Sequence, residues 1–304
     1  MRIPHILFAS LVTLLAASAL HAQSSIVVTR PRSSRGDLAG VRAMDPDRHL
    51  VFRVYFDSTS RPVAFNAIPT IADMYAMLAQ STGADPSQIE WAAIVFVTDT
   101  AYVPPRNSGE VRWSVTVEPS GVLGARGDRD LYLTVPHEQV HHIQGSLSEG
   151  APRWFEEGQA EWAGLRVTQH WRPSLAAKKR EEDAVAYAGL PRRLASWGSV
   201  RVKLEAILRQ MTPEQRARQA QDSTYKPTGP WKLGPEDFVS DESETAARYG
   251  AALALFSELE RAGGSSQLVN WYHRLWEEPK PLTTESLTAS IREHFGLDIA
   301  PRLR

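Results

Sequence analysis

The feature that most constrains this 304-residue chain is the point at which its hydrophobic period changes. Before Pro136 the apolar residues alternate. Leu50, Phe52, Val54 and Phe56 interleave with Val51, Arg53 and Tyr55, and Val111, Trp113, Val115 and Val117 interleave with Arg112, Ser114, Thr116 and Glu118. A period of two puts one set on the core face of a half-buried strand. Ala92–Val97 is a continuous apolar run, the pattern of a central strand. Shorter strands are expected at Ile26–Thr29 and Leu131–Val135, and Ile71, Met74, Tyr75 and Leu78 predict a helix over 70–82. From Pro136 onward the period is helical, with helices expected over 136–145, 152–169, 175–187, 198–211, 241–262, 265–277 and 284–295. Gly145, Gly263 and Gly296 sit where C-terminal caps are expected, and the Pro- and Gly-rich stretch 222–240 reads as the longest loop. Strands first and helices afterwards predict an α+β domain with segregated layers.

Bulk properties narrow the chemistry. The net charge is −1 and the basic residues are scattered among acids, so no basic face is expected to bind nucleic acid or an anionic membrane. The densest charge run, Lys178 to Asp183, reads as a solvated helix face. There is no cysteine, which excludes disulfides, thiolate metal sites and a cysteine nucleophile. Any metal site must therefore use His, Asp or Glu.

The N-terminus has the form of a secretory signal. Arg2 is followed by an apolar stretch from Ile6 to about Leu20, and small residues suit cleavage after Ala19 or Ala22. An uncleaved membrane anchor is the alternative. The expected organisation is a signal peptide at 1–22, an irregular lead-in at 23–48, a sheet subdomain at 49–146 and a helical subdomain at 147–304. An exported protein, periplasmic or secreted, with no stable membrane insertion after signal cleavage, follows from that reading.

The residues that carry chemistry sit at the change of period. His137-Glu138-Gln139-Val140-His141 places two imidazoles four residues apart, on one face of a helix, where both can reach one ion. Pro136 suits the first position of that helix. Glu138 lies beside the metal face, where it can accept a proton from a metal-activated water. A hydrolytic zinc site needs a third protein ligand and an open fourth position. Downstream, Glu157 and Glu161 are again four apart. Glu157 is the candidate ligand, and Glu161 can hydrogen-bond a ligand imidazole and fix its tautomer. Glu156 points about 100° away on a regular helix and ranks below Glu157. His142 faces elsewhere and reads as a cleft or surface residue.

Together, His137-Glu138-x-x-His141 and Trp154-x-x-Glu157-Gly158-x-Ala160-Glu161 resemble the gluzincin superfamily of zinc metallopeptidases. The spacing between the two segments is slightly shorter than in the best-known members, and Phe155-Glu156 departs from the usual pair. The resemblance implies a zincin-like fold, an exported peptidase that takes a peptide or protein substrate, and Zn²⁺ held by His137, His141 and Glu157. It implies Glu138 as general base and Glu161 as support for a ligand. Members often use a Tyr or His on the oxyanion. Tyr249 is the candidate here, although its spacing with Leu253 and Phe256 also suits a core tyrosine. Two further readings stay open: a zinc-binding scaffold of the same fold without catalysis, acting in binding or assembly in the envelope, and a non-metal binding domain. An edge strand that pairs with substrate is expected at Val111–Glu118 or at Gly121–Gly127. Arg126-Gly127-Asp128 is read as a chance match to an adhesion tripeptide.

Overall fold

The computed structural model describes residues 26–29, 32–33, 38–102, 110–147, 150–188, 193–222, 224–278 and 281–304. The expected signal peptide lies outside these residues. The chain opens with β1 (Val27–Val28), β2 (Arg32–Ser33), β3 (Ala39–Asp45) and β4 (Leu50–Phe56). Helix α1 (Arg61–Thr82) then crosses over to β5 (Ala93–Val97), and β6 (Arg112–Thr116) follows. These strands make one mixed sheet in the order β1-β3-β4-β5-β6, with β2 also paired to β3. β3 and β4 are antiparallel, whereas β4, β5 and β6 run parallel. The β4–β5 pair needs a long crossover for geometric reasons, and α1 supplies it.

α1 buries Ile68, Ile71, Tyr75 and Leu78 in a core shared with Phe52, Val54, Ile94 and Phe96 of the sheet. Tyr75 stacks on Trp91 at 4.5 Å and meets Phe52 edge-on at 5.3 Å, the geometries aromatic quadrupoles favour.

The second half is helical: α2 (Ala125–Arg129), a π-helical turn at Asp130–Thr134, α3 (Val135–Leu147), α4 (Arg153–Trp171) and α5 (Pro173–Tyr187). Then come β7 (Val200–Val202), α6 (Leu204–Gln210), α7 (Pro213–Gln221), β8 (Phe238–Ser240), α8 (Thr245–Glu277), α9 (Thr284–Phe295) and α10 (Ala300–Leu303). A sheet followed by a helical half is the α+β order expected. α4 is the central helix, packed by α3, α5 and α8, with Trp154, Ala160, Trp162 and Ala163 buried. Among the described residues no helix is long and apolar enough to cross a membrane.

Several local expectations are corrected. Leu131–Val135 is not a strand but part of a continuous helical run from Ala125 to Leu147. Leu131, Tyr132, Leu133 and Val135 are all buried, and a short apolar run looks the same in a buried helix as in a buried strand. Pro136 therefore sits inside the run rather than opening it. Proline has no N–H, so the carbonyl of Tyr132, four residues back, has no α-helical donor. The Thr168 hydroxyl donates to it instead, at 2.7 Å. The adjoining π turn, in which Val135 N–H reaches back five residues to Asp130, widens the helix where the proline ring needs room.

The stretch 23–48, read as irregular, contributes β3. Its inward face carries Val41, Ala43 and Asp45, only one of them a large apolar residue, so its alternation is faint. α1 starts nine residues before the expected helix, at Arg61, and runs through Pro69. Residues 198–211 divide into β7 and α6, and α7 was not foreseen. The two helices expected at 241–262 and 265–277 are both present within α8, which starts at Thr245 and is broken between them at Gly264, whose φ 77° and ψ 162° are non-helical. α3 continues past Gly145 to Leu147, so Gly145 is no cap, whereas Gly296 caps α9 in the left-handed conformation at φ 68°.

Candidate metal centre

α3 and α4 bring the two motif segments together. Close approach depends on Gly164, where a Cβ would lie 3.1 Å from the backbone nitrogen of His137. From behind, α3 is tied to the sheet by buried Gln139, whose amide donates to the Tyr75 hydroxyl and the Ala92 carbonyl. The middle of the motif thus anchors the helix, and its two ends face the site.

Three donor atoms converge there. His141 Nε2 lies 3.1 Å from His137 Nε2 and 3.1 Å from Glu157 Oε2, and His137 Nε2 lies 3.4 Å from the same oxygen. A tetrahedron with zinc–nitrogen and zinc–oxygen bonds of the usual length has edges of about 3.3–3.6 Å. The observed triangle matches one face of it to within a few tenths of an ångström. His137, His141 and Glu157 form the one group of potential metal ligands found among the described residues. Two imidazoles and one carboxylate are the donor set of a zinc site that keeps an open position.

The hydrogen bonds around the site fix which ring nitrogen faces it. Gln144 Nε2 donates to the Glu156 carbonyl and to Gln159 Oε1, each at 2.9 Å. Its Oε1 is therefore an acceptor, and His141 Nδ1 must be the donor of their 2.8 Å hydrogen bond. In the neutral ring this leaves the Nε2 lone pair aimed at His137 and Glu157. Burial pushes the His141 pKa down, but the Glu157 hydrogen bond and charge outweigh it, and the net direction is up. Burial likewise pushes the Glu157 carboxyl up, and the two histidines overturn that, holding it well below the usual carboxylate range.

His137 is held on its other side. Its Nδ1 lies 3.5 Å from Glu161 Oε1, Glu161 Oε2 lies 3.2 Å from Lys179 Nζ, and Lys179 is bonded to both oxygens of Asp183 at 2.6 and 2.7 Å. Burial raises the Glu161 pKa against the pull of His137 and Lys179. Lys179 and Asp183 correct the reading of the 178–183 run as wholly solvated. Lys178 and Glu182 are exposed, but Lys179 and Asp183 turn inward beside buried Ala176. Their opposite signs at i and i+4, in line with Ala176, were the available signal.

Tyr249, from α8, is half-buried at the same place. Its ring lies 6.0 Å from that of His137 and 5.0 Å from Trp197. Burial raises the pKa of its hydroxyl, and the neighbouring Glu157 charge and hydrogen bond add to this. A cavity of about 180 Å³ opens beside it, walled by Leu133, Thr134, His137, Ala160 and Lys179. Glu138 is half-buried next to His137, and its charge acts on His141.

The remaining candidates fall elsewhere. Glu156 turns back to accept the Ala151 N–H at 3.2 Å, and His142 contacts the Glu90 carbonyl. Arg126-Gly127-Asp128 is part of α2. Asp128 is paired with Arg172 at 2.7 Å, and Gly127 is pressed against the Thr116 carbonyl. Gly121–Gly127 runs into that helix rather than forming an edge strand, so β6 is the outermost strand of its side among the described residues.

No family model matches the chain, and no curated protein matches it. Among solved structures it is similar to an M1 zinc metallopeptidase from Deinococcus radiodurans, with a TM-score of 0.45 and 15% identity over 92% of this chain and 50% of that one. A variant of an M1 zinc metallopeptidase from the same organism, bound to a Tyr-Ser-Ala substrate, gives 0.43 and 14% over 93% and 61%. Yeast LTA4 hydrolase in complex with bestatin gives 0.45 and 15% over 83% and 36%. The chain thus spans less than two thirds of the length of each.

Proposed function

We propose that the protein is a zinc-dependent metallopeptidase of gluzincin type. The observation that carries the proposal is the triangle of His137 Nε2, His141 Nε2 and Glu157 Oε2, with edges of 3.1, 3.1 and 3.4 Å. That the bond cleaved is a peptide bond comes from the resemblance of the two motif segments, not from the donor geometry.

In this reading His137, His141 and Glu157 hold Zn²⁺. Zn²⁺ held there would supply Lewis-acid activation of a water molecule. Glu138 accepts the proton and passes it to the leaving amine. Gln144 and Glu161 keep the two imidazoles in the tautomer that points Nε2 inward. Tyr249, whose ring lies 6.0 Å from that of His137, is assigned the part of donor to a developing oxyanion on the strength of the resemblance. Export to the periplasm or outside the cell is part of the same proposal and rests on the N-terminal pattern.

The test is a peptide-hydrolysis screen on the intact protein and on Glu138→Gln. The variant is expected to keep its zinc and lose turnover by roughly 10²–10⁴-fold, and a chelator is expected to silence the wild type. Undiminished hydrolysis by Glu138→Gln would overturn the assignment of the general base.

A further inference from the structure

Glu157 turns one carboxylate oxygen toward the two imidazoles, and its other oxygen is also occupied. Oε1 lies 3.3 Å from Nε of Arg153, one turn earlier in α4. Tyr249 stands beside this pair, with its ring 5.0 Å from that of Trp197, and Glu157 and Arg153 both act on the pKa of its hydroxyl. A carboxylate has two equivalent oxygens and can grip an ion with one or both. A donor fixed on Oε1 leaves Oε2 as the ligand.

Arg153 is itself held from outside α4. Its Nη1 pairs with Glu242. Its guanidinium carbon lies 5.2 Å from the Trp197 ring, within the range of a cation–π contact. Gly198, with φ 72°, packs against its stem so closely that a Cβ would meet Arg153 Cδ at 3.0 Å. Trp197, Gly198 and Glu242 all belong to the segment between α5 and α8. Glu242 also offsets the charge of Arg153, so the guanidinium acts on Glu157 by the direction of its hydrogen bond more than by repelling a cation. A planar guanidinium gives that direction, whereas a lysine ammonium does not.

We infer that Arg153 is a positioning residue that holds Glu157 as a single-oxygen metal ligand, and that the segment between α5 and α8 sets its orientation through Trp197, Gly198 and Glu242. The inference rests on the metal-centre reading above.

The test measures zinc affinity by competition with a chromophoric chelator, and the visible spectrum of the cobalt(II)-substituted protein, on the full chain. Arg153→Met is expected to weaken zinc binding about 10–100-fold, the usual effect of removing a group that orients a ligand, and to shift the cobalt bands. Arg153→Lys is expected not to restore either. Glu242→Gln, at a partly exposed position where folding is not at stake, is expected to move both readouts the same way by less. Wild-type affinity and spectrum in both Arg153→Met and Glu242→Gln would overturn the inference, and full rescue by Arg153→Lys would overturn its directional basis. Failure of the unmodified protein to take up zinc or cobalt would instead overturn the metal-centre reading itself.

Discussion

The α3–α4 pair and the segment between α5 and α8 meet at Arg153, yet they are built on different principles. In α4 thirteen of nineteen residues are buried, including Glu157 and Glu161, and both of these carboxylates are held by partners from neighbouring elements. In the 193–242 segment Val200 and Leu204 are 67% and 59% exposed, and α7 buries nothing. Its strands β7 and β8 pair only with each other. The difference teaches that ligand geometry is fixed by close helix packing, while the outer segment reaches it through a few side chains. Substitutions in the two regions should therefore differ in cost, and each of the following can break that contrast.

The largest stability effect is expected at Gly158. A Cβ there would come within 2.5 Å of the Phe256 ring. Gly158→Ala is expected to cost about 1–3 kcal/mol through overpacking, at the upper end because Phe256 is fully buried. Denaturant unfolding reads this directly, and an unchanged midpoint would show that α4 and α8 are less tightly packed than described. Thr168→Val is expected next. It removes the donor to the buried Tyr132 carbonyl and should cost about 1–2 kcal/mol, measured in the same way. A neutral result would mean that Pro136 leaves no carbonyl in need of a partner. The smallest effect is expected in the outer segment, where Leu204→Ser should stay within about 0.5 kcal/mol. A loss as large as that of Gly158→Ala would show the segment to be part of the cooperative core.

The same contrast explains what was legible in the sequence. His137 with His141, and Glu157 with Glu161, are pairs at i and i+4, so their shared faces follow from helix geometry alone, once the helices exist. The α+β order was equally legible from the change of period. The start of α3 was not, because Leu131 to Val135 is buried on a helix flanked by packing on several sides and leaves no period to count. Lys179 and Asp183 carried an i, i+4 signal that was hidden inside a charged run. Gln144 as the partner of His141 Nδ1 sits at i+3 and was within reach of the same argument. Trp197 and Glu242 were not, since their contacts with Arg153 span 44 and 89 positions of chain and are fixed by tertiary packing.

Metal content of the purified, natively folded protein tests the central claim most directly. About one zinc ion per chain is expected in the unmodified protein, and a strongly reduced content in Glu157→Ala at unchanged fold. A natively folded protein that binds no zinc at full zinc supply, or a Glu157→Ala variant that retains it with unaltered affinity, would contradict the account.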